Sequence, residues 1–201
     1  MTIKIIPAPR AMKSEIENRC KQTFAEHRAR QPYAFPENSY DSLFQPVIDA
    51  AFCSPEGLPL KTSPVIFTAM LNDDMVGYIQ LSRHAFMPDV SFPYVNIDDI
   101  HVVTEHRGAG VGEHLLDHVK NLADQHDWDG LTATIWAGNT ASQRLFEKCG
   151  FQSNNVSLRY GPNRQASNYP SSIRKRSGPL LTAFSLSLAV NAALIIHLLV
   201  N

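Results

Sequence analysis

The sequence predicts an α+β protein, a sheet with helices on its faces, that carries an apolar helix at its C-terminal end. Three observations predict it. Short β-rich runs and helical periods follow one another in the order βααβββαβαβ. A glycine-rich loop, "HRGAGVGEHLL" at 106–116, joins a strand to a helix. Residues 179–201 contain no Asp, Glu, Lys or Arg.

Each element has its own signal. "TIKIIPA" opens with a short apolar strand, and "RAMKSEIENRCKQTFAEHRAR" follows with Met12, Ile16, Cys20 and Phe24 at intervals of four, the spacing of one helix face. A second helical stretch, "NSYDSLFQPVIDAAFCS", puts Leu43, Phe44, Val47, Ile48 and Ala51 on one side, and Pro46 marks a break or restart. "SPVIFTAMLNDDMVGYIQLSR" is a hairpin, with two β-rich runs around the turn Asn72-Asp73-Asp74. "YVNIDDIHVV" is a further strand. The glycine loop then passes into a helix whose buried face is Leu115, Leu116, Val119, Leu122 and Ala123. "GLTATIWAG" reads as a strand, "NTASQRLFEKCG" as a helix stopped by Gly150, and "FQSNNVSLRYG" as a strand pair or final hairpin.

Composition narrows the function classes. In 201 residues, 18 Lys plus Arg against 19 Asp plus Glu leave a net charge of -1, which argues against a nucleic-acid partner bound through a broad basic face. Cys20, Cys53 and Cys149 are odd in number, with no CxxC pair, so they read as free thiols in a reducing compartment. "MTIKIIPAPR" lacks the apolar stretch of a signal peptide.

As a helix, Leu180 to Val200 would rise about 32 Å, close to the roughly 30 Å hydrocarbon thickness of a bilayer. Its polar residues, Thr182, Ser185, Ser187, Asn191 and His197, are uncharged and spread around the helix rather than gathered on a face. Arg174, Lys175 and Arg176 stand just before it, and basic residues are retained on the cytoplasmic side. The expectation is a single-pass tail anchor at 179–201, a flexible basic linker at 161–178 and a cytoplasmic domain at 1–160. Ser185, Ala189 and Ala193 recur at intervals of four, a small-residue stripe compatible with a homodimer through the tail.

Glycines at 108, 110 and 112 let the backbone curl so that successive N–H groups and the helix N-terminus meet one anion, and a pyrophosphate suits that geometry. A dinucleotide fingerprint from Gly108 fails at Glu113, and a phosphate loop fails at the same position. His114 and His118 are spaced i, i+4, but without a third ligand or an HExxH pattern they read as a solvated helix face, so no metal is expected. Cys149 beside Gly150 reads as a packed thiol.

The loop resembles the R-x-x-G-x-G motif with which the GNAT superfamily of N-acetyltransferases holds the acetyl-CoA pyrophosphate, here Arg107, Gly110 and Gly112. "NTASQRLFEKCGF" resembles the second signature of that family, N-x-x-A-x-x-L-Y-E-K-x-G-F, with Ser142 in place of the Ala, and Gly77 fits the preceding hairpin. The match covers about residues 72–152. It implies a central mixed, mostly antiparallel sheet flanked by helices, and acetyl-CoA as co-substrate. It also implies that Arg107, Gly108, Ala109, Gly110, Val111, Gly112 and Glu113 hold the pyrophosphate, that His101, Val102 and Val103 offer backbone groups to the pantetheine arm, and that Asn139 and Phe146 contact CoA.

Acetyl transfer to an amine needs a polarised carbonyl and an acceptor for the proton of an amine whose pKa is near 10.4. Asp98 and Asp99, adjacent in a strand, are expected to face opposite sides of the sheet, so that one of them looks into the acceptor site. "NIDDIHVV" is similar to the "ED" of spermidine/spermine acetyltransferases, which implies Asp98 as the base, through water, and Asp99 as its partner. The resemblance also implies the Val102 N–H as the donor to the carbonyl oxygen. The family's tyrosine acid is Phe146 here, and Phe donates no proton, so the thiolate leaves unaided or another group serves.

The acidic pair and Asp89 favour a small cationic amine, such as a polyamine or amino sugar, as acceptor. The alternatives are a membrane-proximal protein bearing a Lys or N-terminal amine, and a catalytically weak acyl-CoA-binding sensor.

Overall fold

The computed structural model describes residues 2–32, 34–35, 39–53, 64–83 and 94–153. The expected tether and apolar tail, most of the expected final strand pair, and Asp89 lie outside the described residues. No helix among the described residues is long and apolar enough to cross a membrane.

The elements run β1 (Lys4–Pro7), α1 (Lys13–Arg30), α2 (Tyr40–Leu43), α3 (Gln45–Cys53), β2 (Val65–Leu71), β3 (Asp74–Arg83), β4 (Tyr94–Val102), α4 (Val111–Gln125), β5 (Gly130–Ala133) and α5 (Thr140–Lys148). The strands form one sheet in the order β1-β2-β3-β4-β5. The first three pairings are antiparallel, and β4 with β5 is parallel. Parallel neighbours need a crossover, and α4 supplies it.

Local chemistry accounts for the joints. Asn72 and Asp73 take φ of 50° and 68°, so both central residues of the β2–β3 turn are left-handed, as the tightest hairpin turn requires and as Asn and Asp tolerate. The second helical stretch breaks at Phe44, and Pro46 marks its restart. Pro46 sits in the first turn of α3, where a missing N–H costs no intrahelical bond. β5 is shorter than its sequence signal and ends at Ala133.

The described residues fall into two compact units, one of residues up to Arg19 with Ile48–Gln152, the other of Cys20–Val47. The first contains the sheet and its core. Val111, Leu115, Leu116 and Val119 of α4 are buried with Phe67, Ala69, Ile79, Leu81, Val95 and Ile97 of the strands. Each of the Val, Leu, Ile and Phe side chains withdrawn from water contributes about 1.5–3 kcal/mol. Gly77 makes the approach of α4 close: a Cβ there would lie 2.7 Å from the His101 carbonyl oxygen and 3.2 Å from Val111. In the second unit Phe24 is the hub, with ring centroids 5.5 Å from Phe35, 5.6 Å from Tyr40 and 5.3 Å from Phe44.

Candidate active site

β4 changes phase in its middle. Gln80 pairs with Asp99 but Leu81 pairs with Ile97, so Asp98 is an extra residue, a bulge in the ladder. Tyr78, Gln80 and Ser82 share one face of β3, and their partners His101, Asp99 and Asn96 therefore share that face of β4. The expectation that Asp98 and Asp99 face opposite sides is thus corrected. Strict alternation would separate them, but the bulge brings both carboxylates to side chains of the same face.

Each acid has its own donor there. The Tyr78 hydroxyl donates to Asp99 Oδ2 at 2.5 Å. Asn96 Nδ2 donates to Asp98 Oδ1 at 2.6 Å, and Thr132 on β5 donates to Asn96 Oδ1 at 3.1 Å. The Tyr78 ring is fully buried and stacks on His101 with centroids 5.7 Å apart. Tyr78, Asn96 and Thr132 were not among the residues the sequence picked out. All three are uncharged residues inside strands, and only the register reveals them.

The β4–β5 ladder ends at Ile97↔Ala133, while β4 runs on to Val102. Val103 spends its N–H on the Val76 carbonyl (3.0 Å) and its own carbonyl accepts from His106 (2.9 Å). Antiparallel partners alternate in direction, so His101 also turns its backbone groups towards β3, and Val102 turns its N–H and C=O to the β5 edge. Of the three residues expected to offer backbone groups to a ligand, Val102 is the one so oriented. Its carbonyl accepts from Arg107 Nε at 3.1 Å, which ties the glycine loop to the end of β4.

In that loop Gly108 and Gly110 take φ of 78° and 83°. Gly110 caps α4, and the first helical bond runs from His114 N–H to the Gly110 carbonyl. The amides of Val111, Gly112 and Glu113 therefore have no carbonyl a turn back to bond, and the positive end of a 15-residue helix stands behind them. A Cβ on Gly108 would meet nothing within 4 Å, so its space is open and its conformation suits glycine. This cradle fits a pyrophosphate. Gly112 packs closely on α5 instead: a Cβ there would lie 2.8 Å from a terminal methyl of Leu145, which would have to shift. Glu113 is ion-paired with Lys148 at 2.6 Å, a second link between α4 and α5.

Two further expected residues have structural duties. Asn139 caps α5, its side chain accepting from the Ser142 N–H at 3.3 Å. Phe146, expected at CoA, is 4% exposed and lies in the core against Phe151. Without a hydroxyl to solvate, the ring is free to go inward. His118 departs from its expectation as well: it packs on Phe67 with centroids 4.9 Å apart, and burial holds its imidazole below the ordinary histidine range. His114 is exposed, with Nδ1 2.9 Å from the Gly110 carbonyl oxygen. Burial raises the Cys149 thiol above its ordinary range, consistent with a packed rather than a nucleophilic sulfur.

The model of the acetyltransferase (GNAT) family matches residues 21–151. Among curated proteins, N-alpha-acetyltransferase 40 of Saccharomyces cerevisiae is 28% identical over 94 residues, 42% of this chain. The match spans 31% of the length of that yeast protein. Among solved structures, AAC(6')-Iy in complex with a CoA bisubstrate analogue is similar with a TM-score of 0.58 at 18% identity, over 81% of this chain and 99% of that one. A ribosomal-protein-alanine N-acetyltransferase from Brucella melitensis biovar Abortus is similar with a TM-score of 0.54 at 14% identity, over 80% of this chain and 99% of that one. At such identities these two structures speak for a shared fold, a mixed sheet flanked by helices.

Proposed function

The chain belongs to the acetyltransferase (GNAT) family, and from that premise we propose that it moves an acetyl group from acetyl-CoA to a primary amine. The observation that carries this reading is the juxtaposition on β4 of a paired-acid bulge with an outward Val102 amide, next to a loop whose left-handed glycines and helix amides fit a pyrophosphate.

The residues divide the work. Gly108, Gly110 and the amides of Val111, Gly112 and Glu113 bind the pyrophosphate, and Arg107 closes the loop onto Val102. Acetyl-CoA supplies the activated acetyl group. Val102 N–H faces the edge where β5 has left β4, oriented to donate to an oxygen on which charge develops. Asp98 takes the amine proton, directly or through water, while Asn96 and Thr132 hold its carboxylate in place and Asp99 stands beside it. With Phe146 in the core, the departing thiolate takes its proton from water.

The preferred acceptor is a small cationic amine, since two carboxylates on one face attract positive charge. A protein N-terminal amine is the second reading, favoured by the likeness to N-alpha-acetyltransferase 40. We further place the domain on the cytoplasmic face of a membrane, on the strength of the charge-free run 179–201 behind Arg174, Lys175 and Arg176.

The test is a panel of polyamines, aminoglycosides and peptides with free N-termini, offered with acetyl-CoA to the full chain in vesicles and to a form ending at Gly161. Acetylated soluble amines from both forms support the first reading. Acetylation of peptides alone moves the acceptor to protein. Acetyl-CoA binding with no product from any acceptor contradicts the enzyme and leaves a sensor.

A further inference from the structure

We propose that Tyr78 is a positioning residue of the acceptor site, acting through Asp99. The inference rests on the N-acetyltransferase reading of the same face. Tyr78 is the largest fully buried side chain among the described residues, yet its hydroxyl is aimed at the carboxylate two pairs along the sheet rather than left to an apolar neighbour. The ring is fixed by stacking on His101, its cross-strand partner, so the hydroxyl has little freedom to leave Asp99. Asp99 is reached from β3, whereas Asp98 is held from its own strand and β5 by Asn96 and Thr132. The two adjacent acids are therefore oriented from different sides, each by a neutral donor.

A phenol that donates to a carboxylate favours its charged form. By that bond Tyr78 favours the charged form of Asp99 next to Asp98, and negative charge beside a base makes the base hold a proton more readily. In this role Tyr78 acts through Asp99 rather than on the amine or the thioester. It fixes the orientation of Asp99 and favours its charged form.

The variant is Tyr78→Phe in the full chain, which keeps the ring, the stack and nearly all of the volume. The titration of Asp99, followed by carboxyl carbon NMR, is expected to move to higher pH in Tyr78→Phe. With the preferred acceptor, kcat should fall about tenfold and the pH profile of kcat/KM should change, while acetyl-CoA affinity stays within about twofold, because the glycine loop is untouched. In an Asp99→Asn background, Tyr78→Phe should add less than about twofold. An unmoved Asp99 titration, or an undiminished effect of Tyr78→Phe in the Asp99→Asn background, overturns the proposal. Should Tyr78→Phe fail to fold, the Asp99→Asn protein decides alone: a kcat/KM profile that superimposes on the wild type contradicts any role for the pair. Failure of the enzyme reading shows differently, as no turnover in the wild type, and the Asp99 titration still judges Tyr78.

Discussion

Asn96 and Asp98, two residues apart on β4, are joined side chain to side chain by a 2.6 Å hydrogen bond, and Thr132 on β5 completes the chain by donating to Asn96. Asn96 is 5% exposed and is the only link through which the two strands share that carboxylate's orientation among the described hydrogen bonds. Asn96→Ala therefore removes one donor and one acceptor from a buried site. Stability should fall by about 1–3 kcal/mol, read as a shift of the urea midpoint. Turnover should fall further than stability accounts for, measured at a temperature where the variant remains folded. Thr132→Val should cost about 1 kcal/mol and less activity, since Asn96 keeps its bond to Asp98.

Two glycines separate steric from conformational demands. A Cβ at Gly77 would sit 2.7 Å from a backbone oxygen of the neighbouring strand, which cannot move without opening the ladder. At Gly108 there is open space and only the left-handed φ of 78° opposes a side chain. Gly77→Ala should destabilise the fold by about 3 kcal/mol or more, whereas Gly108→Ala should cost about 1–2 kcal/mol and act chiefly on acetyl-CoA affinity. Thermal unfolding and calorimetric titration with CoA distinguish the two patterns.

His118 makes stability depend on pH. Burial against Phe67 lowers its folded pKa below the ordinary value of about 6.5. Between those two values the unfolded chain binds the proton that the folded chain refuses. Its contribution is therefore complete above pH 6.5 and is lost as the pH falls through the acid side of that value. His27, lowered chiefly by burial and then by Arg30, acts in the same direction. Urea unfolding at a series of pH values from 7.5 to about 5 should show falling stability, and His118→Leu should flatten part of the slope.

Cys149 should be a slow thiol. Burial is the largest of the influences that raise its pKa, so little thiolate is present at neutral pH. Peptide mapping after iodoacetamide should find it modified several-fold more slowly than free cysteine, and Cys149→Ser should retain turnover.

Most of the fold was legible because its signals are local. The four-residue spacing of Ile16, Cys20 and Phe24 gave α1 and its buried side, and Asn72-Asp73 gave the hairpin. The bulge was not read, although a trace of it stands in the sequence. The apolar positions of β4 are Val95 and Ile97 and then Ile100 and Val102, odd numbers followed by even, so one residue must be inserted between the two pairs. Tyr78, Asn96 and Thr132 were illegible for another reason. Their meaning comes from cross-strand pairing at separations of 21 and 36 residues, which no local period encodes. His118 was assigned to a polar face because its sequence spacing places it beside His114. Phe67, far away in the chain, makes that part of α4 partly buried.

The most direct test of the account is acetyl-CoA-dependent release of CoA thiol by the full chain, compared with Asp98→Asn and Asp99→Asn across pH. The account predicts turnover with a cationic amine by the wild type, a loss of at least about a hundredfold in Asp98→Asn, and acetyl-CoA binding unchanged in both variants. Full activity in Asp98→Asn and Asp99→Asn together would contradict it, because the bulge on β4 would then carry no part of the chemistry.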